Sequence, residues 1–151
     1  MSIKVVATNR KAKFNYHILD TYEAGISLKG SEIKSIRAGQ LSLSEAYVTI
    51  KNGRDAWLVS AHIAPYDQAS HFNHEPLRPR KLLLHRREID RLWDDIRQRG
   101  LTIIPLRVYL KNGLAKVEIA VAKGKKLHDK RAAIAKRDTQ REIEREFRIR
   151  G

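Results

Sequence analysis

Leu106-Arg107-Val108-Tyr109-Leu110-Lys111, then Asn112-Gly113, then a return from Ala115 through Lys116-Val117-Glu118-Ile119-Ala120 to Val121, is the stretch that decides the fold. Asn-Gly between two β-rich runs is the strongest short hairpin signal, because a type I′ turn needs positive φ at both central residues. Val108 and Leu110 alternate with Arg107, Tyr109 and Lys111. On the return, Val117, Ile119 and Val121 alternate with Lys116, Glu118 and Ala120. One face is expected to be core and the other wet and mostly basic.

The same punctuation recurs upstream. Tyr47-Val48-Thr49-Ile50-Lys51 meets Asn52-Gly53, and Ala56-Trp57-Leu58-Val59 leads away. A further strand is expected from about Phe14 to Leu28, bent or interrupted near Gly25. Two helices fall between the strands. Ser31 is placed to cap a short one carrying Ile33 and Ile36 and stopped by Gly39. The second spans about Arg86 to Arg99, with Ile89, Leu92, Trp93 and Ile96 at i, i+3, i+4 and i+7, and Gly100 as its stop. Ala64 to Pro79 holds three of the four prolines and reads as a loop. Short antiparallel strands with two packing helices predict a mainly β chain, an OB-like closed antiparallel barrel with flanking helices.

The 151 residues suit one domain, and the charge is one-sided: 31 Lys and Arg against 17 Asp and Glu, net +14. Such an excess favours a polyanion. A membrane partner is disfavoured, since no apolar stretch approaches the roughly 18 residues of a spanning helix. The apolar run at the N-terminus is too short for a secretory signal. With no cysteine there is neither a disulfide framework nor a thiolate metal site, and a cytoplasmic location is the expectation. From residue 123 to the end the texture changes, with 11 basic and 5 acidic residues and few large apolar side chains. The chain therefore divides into 1–122, an OB-like barrel expected to bind nucleic acid, and 123–151, a basic tail. The tail is expected to be disordered alone and helical against a partner; a permanently docked helix is the alternative.

Three basic clusters lack acidic compensation nearby in sequence: Arg10-Lys11 with Lys13; Arg78, Arg80, Lys81, Arg86 and Arg87; and Lys123-Gly124-Lys125-Lys126 with His128, Lys130 and Arg131. Each alone reads equally as a solvated face; three around one barrel favour phosphate binding. Among the aromatics, Tyr16, Tyr22, Tyr47 and Tyr109 are candidates to stack on bases, Tyr109 foremost because its pleat neighbours point outward. Phe14, Trp57 and Trp93 are assigned to the core. Catalytic readings find little support. His71-Phe72-Asn73-His74-Glu75 sits in a proline-flanked loop without an H-E-x-x-H helix, so no metal is expected. Asp90, Asp94 and Asp95 read as the solvated side of a helix. No P-loop pattern is present, so ATP or GTP binding is not expected, and no cofactor is implied.

Six segments, in order, resemble the signature run of the SmpB family between Asn9 and Arg131. They are Asn9-Arg10-Lys11-Ala12, Tyr22-Glu23-Ala24-Gly25, Gly30-Ser31-Glu32-Ile33-Lys34-Ser35, Arg80-Lys81-Leu82-Leu83-Leu84, Val121-Ala122-Lys123-Gly124-Lys125-Lys126 and His128-Asp129-Lys130-Arg131. The resemblance implies an OB-like barrel that binds the tRNA-like domain of transfer-messenger RNA. It further implies that the protein enters the empty decoding site of a stalled ribosome with that RNA and elongation factor Tu, as a monomer. By position, Asn9, Arg10, Lys11, Glu23, Arg80, Lys81, Leu83, Lys116, Lys123, Gly124, Lys125 and Lys126 would support RNA binding. His128, Asp129, Lys130 and Arg131 would meet small-subunit rRNA, with the tail helical in the vacant mRNA channel and Phe147 and Ile149 as apolar anchors. Glu23 also reads as a plain surface residue, and Glu32 as a helix N-terminal charge. No long basic N-terminal extension is present, and no contacts from one are expected. The rival readings are another OB-type translation factor or ribosomal protein, and a nuclease.

Overall fold

A computed structural model describes residues 3–66 and 73–125. Both Asn-Gly pairs adopt the conformation their chemistry favours. Asn112 and Gly113 sit at φ 52° and 78°, and Asn52 and Gly53 at 55° and 65°. The first pair joins β8 (Thr102–Lys111) to β9 (Leu114–Gly124), with Lys111 opposite Leu114. The second joins β4 (Tyr47–Lys51) to β5 (Asp55–Val59).

The remaining strands are β1 (Ile3–Thr8), β2 (Tyr16–Ile26), β7 (Arg80–Leu83) and a small separate pair, β3 (Leu41–Ser42) with β6 (His62–Ile63). The large sheet runs β1-β8-β4-β5-β7-β2-β9 and returns through the β8–β9 pairing. Six antiparallel strands thus close an OB-like ring, and β1 hangs on the outer edge of β8. β1 and β7 go beyond the strands expected from the sequence. β9 continues through Lys123 and Gly124, which pair with His17 and Tyr16, so these two residues are strand.

The ring closes over Val48, Ile50, Ala56, Leu58, Leu82, Ile103, Val108, Val117, Ile119 and Val121, all buried. The second face of the β8–β9 ladder is not wet along its whole length. Ile104, Ala120 and Ala122 are buried with Ala12 of a four-residue helix, α1 (Ala12–Asn15), and Tyr16, Ile18 and Leu106 pack against them. Small residues on β9 leave room for that helix.

Helix α3 (Arg86–Arg99) matches its sequence pattern: Ile89 and Leu92 are buried, and Trp93 and Ile96 pack on the core. Gly100, at φ 63°, turns the chain, and the Leu101 N–H donates to the Asp95 carbonyl at 3.0 Å. Helix α2 (Gly30–Arg37) starts two residues earlier than a Ser31 cap would require. Lys29 is the N-cap, and its N–H donates to Glu32 Oε1 at 2.7 Å. Ser31 lies inside the helix, where its hydroxyl meets His74 Nδ1 at 2.8 Å.

Candidate nucleic-acid interface

Cross-strand partners in a sheet share a face. The outer face can therefore be followed strand by strand. Trp57 on β5 is opposite Lys81 on β7, and Leu83 stands two residues along on the same side. Leu83 is opposite Gly25 of β2, Gly25 is opposite Lys116 of β9, and Lys116 is opposite Tyr109 of β8. Next in that row, Glu23 is opposite Glu118, and Glu118 is opposite Arg107. The ring thus brings Glu23, Lys81, Leu83 and Lys116 together on one surface. Gly25 sets their spacing: a Cβ there would lie 3.2 Å from Leu83 Cβ. Leu83 is 56 % exposed, a large apolar side chain left in the open among cations.

The first and third basic clusters meet at the other end of β2 and β9. Tyr16 pairs with Gly124, and the Lys125 N–H donates to the Asn15 carbonyl at 2.9 Å, so α1 with its exposed Lys11 lies beside Lys123 and Lys125. Asn9 fixes this end by donating from Nδ2 to the Pro105 carbonyl at 3.0 Å, beside the irregular register of β8. Arg10 and Lys11 border an open groove of about 410 Å³ between Val5–Asn9 and Leu41–Ser44. Lys116 and Lys123 are seven residues apart on one strand, so the two cationic ends stand about 23 Å apart.

The second basic cluster is split between core and surface: Lys81, Arg86 and Arg87 stay exposed, whereas Arg80 and Arg78 turn to a buried carboxylate. Arg80 is fully buried. Its Nε donates to Glu32 Oε2 at 2.6 Å, its Nη1 to the carbonyls of Ala61 and Pro76 at 2.7 and 3.1 Å. Arg78 closes on Glu32 as well, Nη2 to Oε1 at 2.5 Å. Burial alone would raise the Glu32 carboxyl, but hydrogen bonds from Arg78, the Lys29 N–H and Arg80 outweigh it and hold the group below the usual carboxylate range. Arg80 is therefore a core ion-pair partner, and its assignment to RNA binding is corrected. Lys81, one residue on, faces out toward Asp55 at 3.6 Å, and Arg86 pairs with Asp90 at 3.3 Å. Glu32 and Asp55, which face Arg78, Arg80 and Lys81, lie dozens of residues away in sequence, where a local charge count does not reach.

Two aromatic assignments are corrected with it. Tyr109 points outward but is only 3 % exposed, because the Arg107 guanidinium lies 4.9 Å from its ring centre and its hydroxyl donates to Glu23 Oε2. It has no free face for a base. Trp57 stands on the outer face rather than in the core, half-buried under Lys51, whose Nζ is 5.0 Å from the ring centre. Tyr16 and Tyr22 are half-buried and Tyr47 is exposed.

Arg107, Lys111 and Glu118 join the face without having been singled out, Lys111 Nζ at 3.5 Å from Glu23 Oε2 and Arg107 Nη2 at 3.5 Å from Glu118 Oε2. Their outward parity was legible, but the register that places them around Glu23 was not. Lys126, His128, Asp129, Lys130, Arg131, Phe147 and Ile149 lie outside the described residues. So does His71. His74 is buried between the Ser31 hydroxyl and the Ile63 carbonyl, the latter at 2.9 Å from Nε2. Among the described residues no group of three His, Asp or Glu is placed to hold a metal. No helix among them is long and apolar enough to cross a membrane.

Point cations, apolar and aromatic side chains and a fixed carboxylate on a curved sheet suit a folded nucleic acid gripped through its phosphates and sampled at polar edges. Fold and face together define an OB-like RNA-binding protein. The profile of the SmpB protein family matches residues 6–149. An SsrA-binding protein from Carboxydothermus hydrogenoformans is 55 % identical over 147 residues, covering 97 % of this chain and 98 % of that protein. One from Roseiflexus sp. (strain RS-1) is 59 % identical over 148 residues, covering 97 % and 93 %. A chain of a solved structure described as "tmRNA-SmpB: a journey to the center of the bacterial ribosome" matches with a TM-score of 0.68 at 44 % identity, over 84 % of this chain and 92 % of that one. The chain belongs to the SmpB family, an RNA-binding family and not one of enzymes.

Proposed function

We propose that this protein binds the tRNA-like domain of transfer-messenger RNA and, with elongation factor Tu on the same RNA, accompanies it into the decoding site of stalled ribosomes. The observation that carries the reading is the convergence of Glu23, Leu83 and Lys116 around Gly25 on one outward face. Names borne by its relatives support it: proteins more than half identical over nearly the whole chain are called SsrA-binding proteins. The solved relative at 44 % identity carries a description that names tmRNA-SmpB and the center of the bacterial ribosome.

In this reading Lys116 and Lys81 neutralise phosphates, Leu83 packs on a sugar or base face, and Glu23 accepts from a donor. The cations around α1 and Lys123–Lys125 grip a second stretch of the same folded RNA. The C-terminal segment, as a helix, fills the mRNA channel only when it is vacant, which couples recruitment to the absence of message. The protein acts as a cytoplasmic monomer and needs no cofactor.

Truncation after His128 tests the division of labour. RNA binding measured by gel shift should persist while peptide tagging on stalled ribosomes is lost. Equal loss of both would assign the tail to the RNA-binding unit and overturn the proposed channel role.

A further inference from the structure

A face that binds phosphates has no electrostatic use for a carboxylate, yet Glu23 stands in its middle. A carboxylate only accepts hydrogen bonds, so what it meets must be a donor: a base N–H or a ribose hydroxyl, never a phosphate oxygen. An exposed glutamate ordinarily samples many rotamers and loses affinity in being ordered. Here it does not have that freedom. The Tyr109 hydroxyl and Lys111 Nζ both engage Oε2. The hydrogen bond from Tyr109 falls on Oε2, which leaves Oε1 as the oxygen to present outward.

Tyr109 is itself immobilised. The Arg107 guanidinium lies over its ring, and Arg107 is tied to Glu118 on the neighbouring strand. The ring could pack without its hydroxyl, whose one contact among the described residues is Glu23. The charged and titratable groups around the carboxylate are Arg107, Tyr109 and Lys111 on β8, and Lys116 and Glu118 on β9. The Tyr109 hydrogen bond is the main cause that keeps the Glu23 carboxyl below the usual range, with the two lysines adding to it.

We propose that Tyr109 is a positioning residue, which clamps Glu23 in one orientation so that Oε1 accepts from a base N–H or ribose hydroxyl and makes this point of the surface select donors against phosphates. The inference rests on the reading that this face takes the tRNA-like domain. Preorganisation of this kind raises affinity by removing an ordering cost, without Tyr109 touching RNA.

The test uses the full chain and a transcript of that domain, with Tyr109→Phe, Glu23→Gln and the double variant. Loss of a hydrogen bond to a charged group predicts about tenfold weaker binding for Tyr109→Phe. Glu23→Gln should lose at least as much, and the double variant no more than Glu23→Gln alone. In the RNA-free protein, carboxyl-carbon NMR should show the Glu23 midpoint moving up in Tyr109→Phe, and by a smaller step in Lys111→Gln, a substitution at a half-buried position outside the core. Affinity of Tyr109→Phe should accordingly fall at a higher pH on acidification than that of the wild type. Substituting single ribose hydroxyls by hydrogen, or single bases by analogues lacking an amino group, separates the two donor sources: the change the wild type notices and Glu23→Gln ignores identifies the donor. A wild-type chain that fails to bind the domain overturns the reading of the face. A wild type that binds, with Tyr109→Phe unchanged in affinity and in the Glu23 midpoint, overturns the role of Tyr109 alone.

Discussion

Glu32→Gln isolates the ion network that ties α2 to the start of β7. Glu32 is fully buried and accepts from the Lys29 N–H at 2.7 Å, Arg78 Nη2 at 2.5 Å and Arg80 Nε at 2.6 Å. Glutamine keeps the volume but removes the charge and turns an amide N–H₂ toward guanidinium donors. Arg80, fully buried, would be left with neutral acceptors only, the amide oxygen and backbone carbonyls. Breaking a buried pair by removing one charge costs about 3–5 kcal/mol, a large part of a total stability of roughly 5–15 kcal/mol. For a domain of this size that lowers Tm by roughly 6–20 °C. Urea denaturation followed by circular dichroism measures it. Replacing the pair together, Glu32→Leu with Arg80→Met, should be more stable than either single change, because no fully buried charge is then stranded. Arg78 also loses Glu32 but is partly exposed and can turn to water. The pH dependence has a definite sign. The folded carboxyl sits below its unfolded value, so its contribution is full above the ordinary glutamate pKa of about 4.3 and is lost as pH falls through the lower folded value. Glu32→Gln should flatten the acid limb of the stability profile. A cost under about 1 kcal/mol, or additivity in the double variant, would refute the argument that Arg80 is an unhydrated core cation.

Gly25→Val drives a branched side chain against Leu83, whose Cβ already lies 3.2 Å from the site of a Cβ. Because the face is exposed, stability should fall by only about 1 kcal/mol while RNA affinity falls roughly tenfold by gel shift. His74→Ala removes the bridge between the Ser31 hydroxyl and the Ile63 carbonyl and should cost about 2 kcal/mol, with wild-type Tm unmoved by added zinc. With about 6–10 phosphates neutralised, affinity should drop on the order of a thousandfold for a duplex between 50 and 200 mM salt, somewhat less for this RNA; flat affinity in a filter-binding titration contradicts the phosphate role. Arg80→Met should leave the RNA affinity of the folded protein unchanged, whereas Lys116→Glu should weaken it without lowering Tm.

Both hairpins and α3 were legible in the sequence because their signals are local: Asn-Gly turns and a 3.6-residue apolar repeat closed by Gly100. β7 was harder to see, since a four-residue strand exists only through its partners on β5 and β2. Its inside-out pattern was nevertheless written in Arg80-Lys81-Leu82-Leu83, where Arg80 shares its side with Leu82. Read with period two, that alternation puts one cation in the core and the next in solvent. Charge counting alone groups them. β1 was missed for a different reason: its register shifts between Val5 and Ala7, which erases clean alternation. Glu23, Leu83 and Lys116 were identified by resemblance, but their convergence depends on pairing across three strands separated by dozens of residues, which no local pattern carries. Tyr109 shows the limit of parity. It does point outward, yet Arg107 and Glu23 cover it.

Competition binding between the tRNA-like domain of transfer-messenger RNA and bulk elongator tRNA, with purified full-length protein at near-physiological salt, bears most directly on the assignment. The outward face around Gly25 predicts a preference of at least about tenfold for the former, about 1.4 kcal/mol, and its collapse in Glu23→Gln. Equal affinity for both RNAs, with Glu23→Gln indifferent, would contradict it.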